Sequence, residues 1–272
     1  MTAQTQQLTP ELTLEHINEI PVLILNHPVG LARIALQGAQ LLNWRPKGEE
    51  QDVFWLSDIE PFTQGVAIRG GVPLCYPWFG GVKKPSHGTA RLRLWQLSDY
   101  DLQANKVRLE FSLFSEYGVI EAKMKMEFTD KCTMTLTHLG QAPAQAALHS
   151  YFNIGDISQI EVQNLPIRCY DSLQGKHTDV PSTRRIEQGI DCIYSLEENK
   201  TLLVDKAFNR RIQITHHHAD SIVLWNPWEK TPSAMKVDGY RNMVCIETAR
   251  LEKLLQFGES ISAEISALPA DI

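Results

Sequence analysis

The 272-residue chain lacks most of the features that would assign it quickly. No apolar run approaches the ~20 residues that a membrane helix needs, so no membrane partner is expected. There is no basic block and the formal charge is −6, which leaves no electrostatic footprint for nucleic acid. The opening MTAQTQQLTPELTLEH has neither the positive n-region nor the apolar h-region of a secretion signal, so a cytoplasmic protein is expected. The cysteines number five (Cys75, Cys132, Cys169, Cys192 and Cys245), with no CxxC spacing. An odd count in a long chain without a secretion signal argues for reduced, buried thiols and against a disulfide framework. P-loop, GxGxxG and GxSxG patterns are absent, so no nucleotide or dinucleotide cofactor is expected. Helical periodicity is also scarce. Two short pieces, near TPELTLEHI and TPSAMKVDGY, are the candidate helices.

What the chain does have is alternation. KVRLEFSLF puts Val107, Leu109, Phe111 and Leu113 on one face. EAKMKMEF puts Ala122, Met124, Met126 and Phe128 opposite Glu121, Lys123, Lys125 and Glu127. KCTMTL and ESISAEISA repeat the pattern, which marks half-buried antiparallel strands. Turn signals (NHPVG, SEYG, FTDK, FNRR) separate the runs at short spacing. Many short strands with few helices imply an all-β sandwich or barrel. With 43% hydrophobic residues a sizeable core needs no staples. No linker or repeat divides the sequence, so residues 1–272 are expected to be one domain, with residues 1–15 as a polar N-terminal arm.

Four stretches could carry chemistry. HHH at 216–218 allows at most His216 and His218 to share a metal from one strand face. No partner stands at a diagnostic spacing, so a solvated strand end is the better reading. His138 is in register with Met134 and Leu136 and reads as a hydrogen-bonded core histidine. In AALHSYFNIGD, Leu148 and Phe152 face one way, while His149, Tyr151 and Asn153 face the other. In NMVCIETAR, Val244 and Ile246 share one face and Cys245 and Glu247 the other. Glu247 either points to water or lines a pocket. Should the two strands meet, His149 and Glu247 form an acid/base pair with ordinary pKa values near ~6.5 and ~4.3. Arg69, in IRGGVPLCYPWFG, and Arg91, in SHGTAR, add fixed positive charge suited to a phosphate or carboxylate. The alternative for Arg69 is a structural turn closed by an ion pair. Trp78, Phe79, Trp225 and Trp228 supply flat apolar walls of the kind sugar rings stack on.

Six motifs in order, IRGGVPLCYPWFG, SHGTAR, ALHSYFNIGD, GIDCIY, VLWNPW and MVCIETA, resemble the hexose-6-phosphate mutarotases of the aldose 1-epimerase superfamily. The likeness runs from about Val22 to Ala267. It implies a galactose-mutarotase-like β-sandwich with an open cleft that interconverts the anomers of an aldohexose 6-phosphate without a metal or redox cofactor. By position, His149 matches the family's general acid and Glu247 its general base. Arg69 and Arg91 match substrate-binding residues, Asp191 the acidic residue that holds sugar hydroxyls, and His87 a cleft residue. The pattern departs at Ser86, where the family has Gln in PQHGFAR, and at Thr89, where it has Phe. Serine reaches less far, which removes or hydrates one substrate hydrogen bond. The implied partner is a small sugar phosphate bound by a monomer. A neutral-sugar 1-epimerase, a non-catalytic carbohydrate-binding module and a two-carboxylate glycosidase are the rival readings.

Overall fold

The computed structural model describes residues 5–270. Strands dominate, and the helical content of the described residues is three 3-10 turns: Ala90–Leu92, Ile157–Gln159 and Gly239–Asn242. Among the described residues no helix is long and apolar enough to cross a membrane. Three antiparallel sheets form. The first follows the chain from Gln6–Thr9 to Gln40–Pro46 in five strands. The second has Ser260–Pro269 and Lys131–His138 at its centre, with Ile120–Phe128 and Lys106–Phe114 beside them. The third orders Arg168–Asp171, Ile190–Ser195, Ser221–Asn226, Met243–Leu255 and Ala144–Leu148 side by side, and Tyr151–Asn153 also pairs with Met243–Leu255.

Side-chain alternation explains the layering. Leu109, Phe111, Met124 and Leu136 project from the second sheet into one core with Leu224, Val244 and Ile246 of the third. Each fully buried large apolar side chain of this kind stabilises the fold by roughly 1.5–3 kcal/mol. Their neighbours Lys123, Lys125 and Glu127 face outward. The first sheet adds Leu25, Ala32 and Trp44 to the same core. The sandwich expected from the alternation is therefore present. All five cysteines are buried and free.

The N-terminal segment departs from expectation. Gln6–Thr9 and Leu12–Ile17 are strands, not a polar arm, and TPELTLEHI is not helical. Pro10 and Glu11 form the hairpin turn, with the Thr9 hydroxyl accepting from the Glu11 amide. Leu12 and Leu14 then pair with Leu25 and Leu23. The Thr-Pro-Glu run that resembles a helix start is thus turn chemistry. Residues 1–4 of the expected arm lie outside the described residues. Of TPSAMKVDGY only its last two residues enter a 3-10 turn.

Candidate active site

The outward face of the third sheet carries the site. Across its ladder Asp191 stands opposite Trp225, Trp225 opposite Cys245, and Cys245 opposite Tyr151. One rung along, Val223 stands opposite Glu247. The register is the same on both sides of the break at 149–150, with Leu148 opposite Thr248 and Tyr151 opposite Cys245. That register places His149 opposite Glu247, at a point where the ladder opens. The His149 amide leaves the partner strand and donates to the Pro73 carbonyl. His149 Nε2 lies 3.3 Å from Glu247 Oε1. The two strands that the sequence left as a possible pair do meet here, and the side chains are in direct contact. Direct contact still suits a sugar, because O1 and O5 are both bonded to C1.

Two segments from elsewhere complete the walls. The first is the IRGG run. Gly70 and Gly71 have φ of +114° and +62°. A Cβ on Gly71 would meet the Leu41 carbonyl oxygen at 2.2 Å, so the chain can pass here only as glycine. This close passage lets the Tyr151 amide donate to the Gly71 carbonyl and presents Arg69 beside it. The Arg69 guanidinium donates to the Tyr151 hydroxyl (2.9 Å) and to the carbonyl (3.0 Å) and hydroxyl (3.4 Å) of Ser233. Among the described residues it makes no side-chain ion pair, so the salt-bridged turn is not what forms there. The second segment is residues 80–92. His87 adopts φ +64° and accepts from the Gly80 amide, with the Cys75 thiol 3.3 Å from the same Nδ1. Arg91 sits in the Ala90–Leu92 turn and donates to the Ser86 carbonyl.

The result is a cleft of about 800 Å³ whose lining includes all seven residues singled out from the sequence: His149, Glu247, Arg69, Arg91, Asp191, His87 and Ser86. Ser86 contributes its backbone oxygen to Arg91. Phe79 and Trp225 line this cleft. Trp228 lines a neighbouring hollow and packs on Tyr240, and Trp78 donates to the Pro85 carbonyl on another face. Tyr76, in the same run, is buried, donates to the Glu121 carbonyl and meets the His138 ring. His138 is accordingly the core histidine expected.

Electrostatics follow from burial. Glu247 is 2% exposed; desolvation, and then the Asp191 carboxylate, push its pKa well above the usual range, with Arg91 opposing. Desolvation pulls His149 well below its usual value, and His87 and Arg91 add to the effect. Both shifts favour uncharged forms, so the pair holds one proton across its contact. His87 is lowered to about 4 by burial and by Arg91 and Arg69, which keeps it neutral. Asp191 is raised by burial and by Asp171, while Ser172 hydrogen-bonds it.

The HHH run is corrected. His216 is not at a solvated strand end; it is buried, between the hydroxyls of Thr201 (3.0 Å) and Thr248 (2.8 Å). No cluster of three metal-ligating side chains exists among the described residues. Sequence reasoning put Tyr151 on His149's face in ALHSYF but gave it no role; it stacks on His149.

With this geometry in place, the comparisons with known proteins are specific. The family model for aldose 1-epimerase matches residues 21–267. A Haemophilus influenzae protein named "Putative glucose-6-phosphate 1-epimerase" is 55% identical over 97% of this chain and 98% of its own length. An Escherichia coli protein of the same name is 35% identical over 90% of this chain and 88% of itself. The solved structure of HI1317 superposes with a TM-score of 0.97 at 58% identity, covering 98% of this chain and 100% of that one. The solved "putative mutarotase (YeaD)" of Salmonella typhimurium gives 0.92 at 33% identity, covering 97% and 96%. The chain belongs to the aldose 1-epimerase family.

Proposed function

We propose that the protein interconverts the α and β anomers of an aldohexose 6-phosphate, with glucose 6-phosphate the first candidate. The observation that carries this reading is the buried His149–Glu247 contact, which puts one exchangeable proton between two groups able to address O1 and O5 together. With the shared proton drawn onto His149, Glu247 takes the proton from the anomeric hydroxyl while His149 gives one to the ring oxygen. The C1–O5 bond breaks and the open aldehyde forms. Rotation about C1–C2 turns the other carbonyl face toward O5, and reclosure with the roles reversed gives the second anomer. Each such proton transfer contributes about 10²- to 10⁴-fold in rate. Asp191 and Trp225 address the sugar's hydroxyl rim and apolar face. Arg69 and Arg91 address the phosphate. A guanidinium has five N–H donors, and the protein contacts above occupy three on Arg69 and one on Arg91. The Nε of Arg91 is buried without a partner.

The reading takes the protein as a one-domain cytoplasmic monomer. Sedimentation at twice the chain's mass would overturn the oligomeric part. Function is tested by NMR magnetisation exchange between anomers of glucose 6-phosphate, galactose 6-phosphate, free glucose and free galactose. Acceleration of a phosphate ester, lost in His149→Asn and Glu247→Gln, is the expected result. No exchange above buffer with any sugar defeats the proposal. Equal or faster turnover of free galactose would favour a neutral-sugar 1-epimerase.

A further inference from the structure

A histidine that donates a proton in catalysis is ordinarily oriented by a hydrogen bond to its second ring nitrogen. For His149 no such bond reaches another residue: Nδ1 is buried and, among the described residues, the ring's backbone hydrogen bond is to its own residue. Among the described residues its polar contact to another side chain is the one to Glu247 through Nε2, about which the ring could still tilt. That short local bond and the Glu247 contact leave part of the ring's orientation to its neighbours.

The rings around it set that part. Tyr151 stacks on His149 at 4.9 Å between centroids with planes 14° apart. Trp55 continues the stack behind Tyr151 at 5.9 Å and 22°. Trp225 meets both His149 and Tyr151 edge-on, each at 6.0 Å. His87 approaches the imidazole edge-on at 5.9 Å. The stack is fixed to the backbone, since the Trp55 amide donates to the Tyr151 carbonyl and the Tyr151 amide donates to the Gly71 carbonyl. Tyr151 is itself 2% exposed, and its hydroxyl oxygen accepts from Arg69. The same side chain therefore touches the imidazole with its face and the arginine with its edge.

We propose that Tyr151 is a positioning residue with two separable duties: its ring holds the plane of the His149 imidazole, and its hydroxyl holds the Arg69 guanidinium at the anion-binding end of the cleft. This rests on the mutarotase reading. An aromatic face within about 6 Å also favours a cationic ring, which offsets part of the desolvation that opposes imidazolium. The charged and titratable groups facing His149 are Glu247 across the ladder, Asp191 beyond it, His87 and Arg91 from the 80–92 segment, and Arg69. None of them stacks parallel to the ring.

The two duties separate by substitution. Tyr151→Phe keeps the ring and loses the hydroxyl, so KM for glucose 6-phosphate should rise about threefold to tenfold, the worth of one hydrogen bond, with kcat changed far less. KM for free glucose should not rise. Tyr151→Leu removes the face, and kcat on both sugars should fall about tenfold or more, because small misplacements of a catalytic group cost up to about a hundredfold. Independently of activity, NMR of the His149 ring should give one sharp set of signals in the wild type and the Phe variant, and broadened or doubled signals in the Leu variant. Should the Leu variant not fold, Tyr151→Met carries the same readouts. Equal kcat in Phe and Leu (or Met) variants, or unchanged His149 signals in the latter, overturns the inference. A wild type inactive on every sugar overturns the mutarotase reading instead, and the ring signals alone then decide this one.

Discussion

Glu247→Gln should make the protein more stable and nearly inactive. The carboxyl is 2% exposed, its Oε2 has no hydrogen-bond partner, and burial with the nearby Asp191 raises its pKa. A buried polar atom left unpaired costs about 1–3 kcal/mol, and more when charged. Because the folded pKa is raised, the stability associated with the protonated form is fully present below the unfolded value near ~4.3. It is lost as pH climbs toward the raised folded value, at about 1.4 kcal/mol per pH unit. Glutamine is nearly isosteric, carries no titratable proton, and can donate through its amide to His149 Nε2. The variant should therefore gain about 1–3 kcal/mol at pH 8 and less at pH 5. For a chain of this size each kcal/mol moves Tm by roughly 2–4 °C, so a rise of about 2–12 °C is expected at pH 8. Turnover of glucose 6-phosphate should fall by about 10² or more. The assay pairs calorimetric melts at pH 5 and 8 with anomer-exchange NMR. A variant less stable than the wild type at pH 8, or a Tm gap that does not widen from pH 5 to 8, would refute the account of Glu247 as a strained buried acid. A stabilised but fully active variant would remove it from the chemistry.

Other consequences are as direct. The dependence of kcat/KM on pH should be bell-shaped with a broad plateau. The low-pH limb marks a second proton entering the His149–Glu247 pair and the high-pH limb marks loss of its single proton, and burial opposes both charged states. The substrate phosphate, titrating near ~6, shapes the acid side, and a profile flat from pH 5 to 9 would contradict the pair. Arg69→Ala and Arg91→Ala should each raise KM for glucose 6-phosphate by roughly ten- to a hundredfold and hardly affect free glucose, since a charge-assisted hydrogen bond is worth ~1.5–3 kcal/mol. Equal losses on both sugars would make the arginines structural. His216 is lowered to about 3 by burial, so its contribution to stability is complete above about 6.5 and drains as pH falls toward the lower value. Urea midpoints should fall less between pH 6.5 and 4 in His216→Gln than in the wild type.

The strands that the sequence shows plainly are those with one wet and one dry face. Ile120–Phe128 and Lys131–His138 alternate because the second sheet buries only one side of each. Met243–Leu255 hides its alternation, since its first seven residues are all buried: one face meets the core and the other meets the cleft. That is why Glu247 could be read either as solvent-facing or as pocket-lining until its neighbours were known. The N-terminal strands were obscured by a turn whose Thr, Pro and Glu are also the residues that open helices.

The site divides along a different line, between residue type and register. Local pattern put His149 and Glu247 on the unusual faces of their own strands, and the structure keeps them there. Nothing local says that the strands are neighbours, nor that a two-residue break leaves one histidine facing one glutamate across 98 positions of sequence. His216 shows the same limit from the other side. Its partners Thr201 and Thr248 come from the neighbouring strand of its own sheet and from a strand of the other, so a histidine run that looks like a frayed end becomes a buried tie between the layers. Pairings of this range depend on register, and register is set by the whole sheet. The ordered motifs succeed where the local pattern stops because they carry that register implicitly: IRGG, ALHSYF and CIETA together encode the glycine passage under Tyr151, the break at His149 and the rung at Glu247, which meet in one cleft.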